Sequence, residues 1–343
     1  MMRRLLVRCT LLLITMVLFS GCQKDKVSNV TDSEKPTATN KGYDLTINDN
    51  MKKTASSDCE AAMNAVKSIY SEAKQQNKDV LLSMDQEKRM LKQLEAKGYV
   101  AMTSSRRYNM VHWQQVDTFY TQVKQWDYTE KGWFVYELYV PQPPDVSEVV
   151  NGTDMFRVKP LNDEYRQIAY DYLQPIGYQG NNLFLIDWDR NNMEKIDYNG
   201  LYESLYLLKY QTAFDETAYD TGIPKEEFES IMMEYLPVSE KLLQKQAHYN
   251  TQMKQYAWTR LGCGNYAPDS FGTSYPEIID WHNNEDGTTT WTIDAICEMD
   301  GCECMFTHEL TVRIFENGGI QLVSNHIRST NGNDVLEYRY RIQ

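Results

Sequence analysis

The sequence predicts an α+β fold, with helices packed on an antiparallel β-meander. Three observations carry that reading. Between about residues 58 and 245, apolar side chains recur at three- and four-residue spacing, the period of a half-buried helix. From about Glu277 the period drops to two, and residues 288–297, 305–315, 320–327 and 335–342 read as four strands. Those runs are joined at Asp300-Gly301, Gly318-Gly319 and Asn331-Gly332, dipeptides that reach the positive φ of tight hairpins at little steric cost.

The elements follow in order. Ser57-Asp58-Cys59-Glu60 is a capping box ahead of a helical stripe at Ala62, Val66, Ile69, Tyr70 and Ala73. A second box, Ser83-Met84-Asp85-Gln86, opens a helix that carries Met90, Leu91 and Leu94 and stops at Gly98. Val116, Phe119, Tyr120 and Val123 mark a third. Residues 132–140 are β-rich and end at Pro141, Pro143 and Pro144. A lone strand makes no sheet, so residues 99–102 or other weak strands complete it, or this unit leans on the next.

Asn151-Gly152 reads as a loop, followed by a helix near residues 163–173 that Pro175 closes. Residues 183–186 form a short buried segment, and Leu201, Leu205 and Leu208 mark another helix. Pro224 suits a first helical position, with Glu226 and Glu227 on the positive end of the dipole. Phe228, Ile231, Met232 and Tyr235 give that helix its apolar face. Pro237 ends it, and Ser239 caps one more, through Leu242 and Leu243. Helices before a meander match the element order of cystatin-like and nuclear-transport-factor-like folds, an analogy that implies no activity.

The predicted organisation is a signal peptide over residues 1–21, a flexible linker over 22–57, a small N-terminal α+β unit over 58–150 and a C-terminal α+β domain over 151–343. Arg3, Arg4 and Arg8 make a positive n-region, and residues 11–19 an apolar run shorter than the about 20 residues of a membrane span. Leu18-Phe19-Ser20-Gly21-Cys22 resembles a bacterial lipobox, in which the cysteine is lipidated and the chain cut just before it. Lipoboxes usually place Leu where Phe19 stands. Two or more acyl chains on Cys22 would anchor the protein stably, whereas one binds marginally. The expected location is the extracytoplasmic face of the cell membrane. Residues 23–57 are too polar to bury a core and read as a stalk.

The whole chain has 35 Lys and Arg against 48 Asp and Glu, a net charge of −13; removing the three leader arginines leaves 32 against 48, or −16. Such a surface is repelled by nucleic acid and anionic headgroups, so the lipid must be the membrane contact. With 42% hydrophobic and 24% charged residues the chain is globular. Its 24 tyrosines and 7 tryptophans are the stuff of sugar-stacking platforms, but Tyr165, Ile168, Ala169 and Tyr172 recur at the spacing of core packing.

Candidate chemistry centres on cysteine. Cys297, Cys302 and Cys304, with His308 four residues on, have the short spacing of a zinc site. Export from the reducing cytoplasm favours structural disulfides among Cys263, Cys297, Cys302 and Cys304 instead, with three possible pairings and Cys59 left over. Cys263, between Gly262 and Gly264, also has the setting of a nucleophile for which His282, His308 or His326 would be the base, the chemistry of an envelope hydrolase or transferase. No family signature surrounds it, so no catalytic residue is assigned. Asp187, Asp189 and Asn191 alternate as calcium ligands do, but Asn192 replaces the loop glycine and Tyr198 the closing Glu; they read as turn residues. No HExxH, GxSxG, P-loop or Rossmann pattern occurs, so no metal and no cofactor is expected.

Ile223-Pro224-Lys225-Glu226-Glu227-Phe228-Glu229, Leu261-Gly262-Cys263-Gly264-Asn265-Tyr266-Ala267-Pro268 and Pro175-Ile176-Gly177-Tyr178-Gln179-Gly180-Asn181-Asn182-Leu183 together resemble an uncharacterised family of lipoproteins from gut-dwelling Gram-positive bacteria. The resemblance covers roughly residues 110–327 and brings no catalytic residues with it. It implies that relatives hold extra β-rich sequence where this chain passes from Val123 to Trp126. The expected function is a membrane-anchored binding or interaction module of the cell envelope, with a protein or cell-wall ligand as partner.

Overall fold

The computed structural model describes residues 48–76, 82–103, 107–123, 133–140, 150–215, 222–259, 274–299, 302–330 and 338–342. The chain divides into a first unit ending at Phe134, to which Phe156–Pro160 belong, and a second of Val135–Met155 and the residues from Leu161 on. Among the described residues no helix is long and apolar enough to cross a membrane. The leader, Cys22 and the rest of the predicted linker up to residue 47 lie outside the described residues.

In the first unit, helix α1 (Asp49–Gln76) runs for 28 residues, about 42 Å at the α-helical rise. It begins well upstream of the predicted Ser57 start. The Asn48 side chain accepts from the Met51 N–H at 3.0 Å and caps it. Met51, Ala55, Cys59 and Ala62 are half-buried and extend the stripe of Val66, Ile69 and Ala73 toward the N-terminus. Because the added positions are small or flanked by polar residues, their hydropathy conceals a continuous helical face.

Helix α2 (Met84–Ala96) opens on the predicted capping box: Ser83 N–H donates to Gln86 Oε1 at 2.9 Å, and Gln86 N–H to Ser83 Oγ at 3.3 Å. Arg89 grips Glu72 of α1 as a fork, at 3.2 and 3.0 Å. Both partners are about two-fifths exposed, so the fork fixes register more than it adds stability. Residues 99–102 supply a single bridge, Ala101 to Val111, and not a strand. Helix α3 spans Trp113–Val123. The partner of strand β1 (Trp133–Val140) is β2 (Val150–Arg157), which absorbs the Asn151-Gly152 dipeptide that reads as a loop. Backbone pairing overrides a turn signal there.

The second unit holds α4 (Asp163–Ile168), continued by a π-helical turn over Ala169–Leu173, then α5 (Tyr198–Tyr210), α6 (Lys225–Tyr235) and α7 (Glu240–Gln246). Asn162, Asp197 and Ser239 cap α4, α5 and α7 through their side chains, and Pro224 stands just before α6. A small sheet of β3 (Ile223–Pro224), β4 (Tyr249–Asn250) and β5 (Gln255–Tyr256), in the order β3-β5-β4, ties the start of α6 to the end of α7. Two-residue strands leave no periodicity to read.

The antiparallel meander is β6 (Tyr275–Asn283), β7 (Thr289–Met299), β8 (Cys302–Ile314) and β9 (Ile320–Ser329), in sequence order. The fourth strand is therefore β6 and not residues 335–342, of which 338–342 are described and carry no strand. A bulge between Ile278 and Asp280 and an outward run of polar residues break the alternation that would have marked β6. One sheet face, with Trp291, Ile293, Leu310 and Leu322, joins Leu201, Leu205, Phe228, Ile231 and Met232 of the helices in one core. Pairings Thr290–Thr311 and Thr292–Glu309 place a polar ladder on the other face, where the two threonine hydroxyls lie 3.0 Å apart.

Glu229 of α6, only 5% exposed, is held by Tyr256 Oη at 2.6 Å, Gln244 Nε2 at 3.0 Å and Lys225 Nζ at 3.1 Å. Burial alone would raise its pKa. The three donors outweigh it and lower the value, so this buried carboxylate stays charged and committed to α6, α7 and β5.

Candidate functional site

A polar groove of about 710 Å³ opens in the second unit, between the turn before α5, the end of α7 and the C-terminal residues. Its floor is built on Asp197, which is 4% exposed. Oδ1 accepts from Gly200 N–H at 2.8 Å and so caps α5. Oδ2 accepts from Tyr338 Oη at 2.7 Å and from Arg341 N–H at 3.0 Å. One carboxylate thereby starts a helix and straps the C-terminus onto it. Burial, then the Asp197 charge, pushes the Tyr338 phenol well above its ordinary pKa and keeps it a donor.

The neighbouring walls are fixed by the same economy. Asn182 donates to the Lys195 carbonyl at 2.8 Å and accepts from Asp197 N–H at 2.8 Å, bracketing the turn. Tyr340 Oη donates to that same carbonyl at 2.7 Å. Asn199 Nδ2 donates to Ala247 and Ala257 carbonyls at 2.9 and 2.7 Å, holding α5 against the end of α7. Just beyond, His248 adopts φ 52°, a left-handed backbone uncommon for a residue with a side chain. Behind the strap, Arg341 is buried and donates to Glu203 Oε2 at 3.0 Å.

Gly200 is required where the turn meets α5. A Cβ there would stand 2.4 Å from the Gly180 carbonyl oxygen and 2.7 Å from Asp197 Oδ2. Gly200→Ala is expected to cost about 2–3 kcal/mol, because the clash with backbone outweighs the ~1 kcal/mol helix-propensity gain of alanine. The check is the urea midpoint, which falls while the slope is unchanged.

Around these fixed walls, four side chains are uncommitted. Among the described residues, Glu194, Gln246, His248 and Arg339 line the groove and carry no side-chain hydrogen bond or ion pair. The rings of Tyr338 and Tyr340 stand 5.6 Å apart at 74°, and Tyr340 is 42% exposed. An arrangement of this kind binds by hydrogen bonding and ring contact. Among the described residues, none of the sequence-predicted site residues contributes to it. The available signals were the Asp197-x-x-Gly200 helix start and the Tyr338-x-Tyr340 pair, which alternates as a strand would.

Cys22 and Cys263 lie outside the described residues. Cys302 stands opposite Met299 across the β7–β8 pair, and Cys304 opposite Ile296, with an irregularity between the two pairings. Cys304 is 2% exposed, its Sγ 3.4 Å from the Phe306 carbonyl. The three histidines do not converge: His308 is on the core face of β8, whereas His282 and His326 pair with Thr290 and Glu309 on the polar face.

His308 is fully buried and committed at both nitrogens. Asn325 Nδ2 donates to the Ile186 carbonyl, so Asn325 Oδ1 is the acceptor for His308 Nδ1–H at 2.6 Å. His308 Nε2 then accepts from Tyr178 Oη at 3.0 Å. Burial lowers its pKa from 6.5 to about 4 and keeps the ring neutral. In the calcium-like stretch, Asp189 accepts from Asn191 N–H at 2.6 Å, as a turn residue does, whereas Asp187 accepts from Ile327 N–H of β9 at 2.7 Å and ties the stretch to the sheet. Among the described residues no group of three or more His, Cys, Asp or Glu is placed to hold a metal ion.

Fold and groove together define an α+β protein with a four-stranded antiparallel sheet and a polar, tyrosine-lined cleft at the start of α5. The chain belongs to a family of unknown function (DUF6070), whose model matches residues 52–125 and 119–341. The two stretches meet at the end of α3, before β1. No curated protein and no solved structure matches the chain.

Proposed function

We propose that the protein is a lipid-anchored binding module of the bacterial cell envelope, tethered through Cys22 on the extracytoplasmic face and presenting the Asp197–Tyr338 groove to a ligand. The observation that carries this reading is the order of charged, apolar and small residues that ends at Cys22. A net charge of −13 supports it, because an acidic surface gives no other hold on anionic lipid. The groove supports a binding role: Asp197, Tyr338 and Tyr340 hold its walls in place, while Glu194, Gln246, His248 and Arg339 are left to meet a ligand.

The test is intact mass of the full chain isolated from the membrane of a bacterial host, without reductant. Loss of residues 1–21 together with added acyl mass on Cys22 is expected. Cys22→Ala should abolish both the acyl mass and the membrane association. In the same sample, two of Cys263, Cys297 and Cys302 are expected to resist alkylation after denaturation, as a disulfide-bonded pair does, whereas Cys304, whose thiol donates to the Phe306 carbonyl and forms no disulfide in the structure, is expected to alkylate. An uncleaved, unacylated chain in the cytosol would sink the reading.

A further inference from the structure

We propose that the groove beside Tyr338 and Tyr340 binds a neutral oligosaccharide, in the manner of a carbohydrate-binding cleft. The proposal rests on the envelope-module reading for the source of the sugar, and on the groove itself for the chemistry. At about 710 Å³ the groove falls inside the range of ligand sites, about 300–1,000 Å³. Sites for drug-like molecules are lined mainly by apolar side chains. Here the uncommitted lining groups are a carboxylate, an amide, an imidazole and a guanidinium, so a fitting ligand offers donors and acceptors over much of its surface.

Hydroxyl-rich sugars meet that demand. The Glu194 carboxylate accepts from hydroxyls, the Gln246 amide both donates and accepts, and Arg339 donates to ring or hydroxyl oxygens. The exposed Tyr340 ring supplies the apolar element. Its negative face suits the polarised C–H bonds of a pyranose. Its hydroxyl is already pinned to the Lys195 carbonyl, so little rotamer freedom remains to be lost on binding.

Charge narrows the class further. Glu194 and Arg339 oppose each other in sign, and the Asp197 charge is shared among three donors. Among the described lining residues Arg339 is the one Lys or Arg, too little for a phosphate polymer, which the acidic chain would also repel. A peptide docking by strand addition needs an open strand edge. Among the described residues, none that lines the groove lies in a strand.

The test uses the full chain in detergent micelles. It is titrated calorimetrically with tetrasaccharides of N-acetylglucosamine, glucose and mannose, and co-sedimented with isolated cell-wall sacculi. At least one tetrasaccharide should bind and release the protein from sacculi. Tyr340→Ala and Glu194→Gln should each weaken binding by about tenfold, the scale of a lost anchor contact. Tyr340→Phe keeps the ring and should stay within about threefold.

Tetrasaccharides that neither bind nor release the protein overturn the proposal, as do affinities unmoved by Tyr340→Ala and Glu194→Gln. Release from sacculi by cell-wall peptides and not by sugars overturns it as well. In each of those three cases, sedimentation with sacculi leaves the binding-module reading standing; failure both to sediment and to bind a tetrasaccharide overturns the proposal and removes support from that reading.

Discussion

Asp197→Ala is expected to cost about 3–4 kcal/mol, the largest loss of any single substitution considered for this chain. The change removes a helix cap, worth about 1 kcal/mol. It also strands two further donors, each bonded to a charged acceptor that contributes about 1.5–3 kcal/mol. Those terms overlap, since Tyr338 Oη also reaches the Gly180 carbonyl at 3.1 Å and keeps a partner when the carboxylate is gone. Tyr338→Phe should cost less, about 1–2 kcal/mol, and the double variant less than the sum of the two. Urea unfolding of the four proteins measures all three quantities. A loss under about 1 kcal/mol for Asp197→Ala would mean that the C-terminal strap is held by something other than this carboxylate.

His308 should give the fold an acid sensitivity that begins above the carboxylate range. Burial, the largest cause, depresses its folded pKa to about 4 from 6.5, while its bond to Asn325 and the charge of Asp294 act the other way. Below about pH 6.5 the unfolded chain takes up a proton that the folded chain refuses. Stability is therefore full above pH 6.5, falls as pH drops toward 4, and flattens below it as far as this group is concerned. The shift corresponds to about 3 kcal/mol over the window. Urea midpoints measured from pH 7.5 to 4 should show the fall. His308→Gln, which retains an amide donor and acceptor, should remove most of it while costing stability at neutral pH. An unchanged slope in that variant would assign the sensitivity to carboxylates.

Much of the fold was legible because the helices and β7 to β9 carry their burial as periodicity. Val66, Ile69 and Ala73, or Leu201, Leu205 and Leu208, are buried at the positions their spacing predicts. The failures have physical causes. The first two turns of α1 are stabilised by the Asn48 cap and a faint stripe of small residues, neither of which raises hydropathy. Strand β6 has a bulge that shifts its alternation partway along. Residues 338–342 alternate for a different purpose, sending two tyrosine hydroxyls to Gly180, Lys195 and Asp197.

The groove was invisible for a related reason. Its residues lie in three stretches far apart in sequence, and nothing local distinguishes Asp197 from any other helix cap. The cysteines drew attention because their spacing is short, and short spacing is what a reader of sequence can see.

The strap also sets an order of events in the life of the chain. Arg341 and Asp197 are 144 positions apart, and the bond between them joins α5 to residues that are made long after it. Synthesis from the N-terminus can complete α5, α6 and much of the meander while the floor of the groove still lacks its second half. Until residues 338–341 emerge, Asp197 is a burdened carboxylate with one of its oxygens facing no donor from the strap. The groove is thus completed late in synthesis, and a chain that stops before Tyr338 lacks one of its walls while Asp197 still caps α5 through the Gly200 N–H.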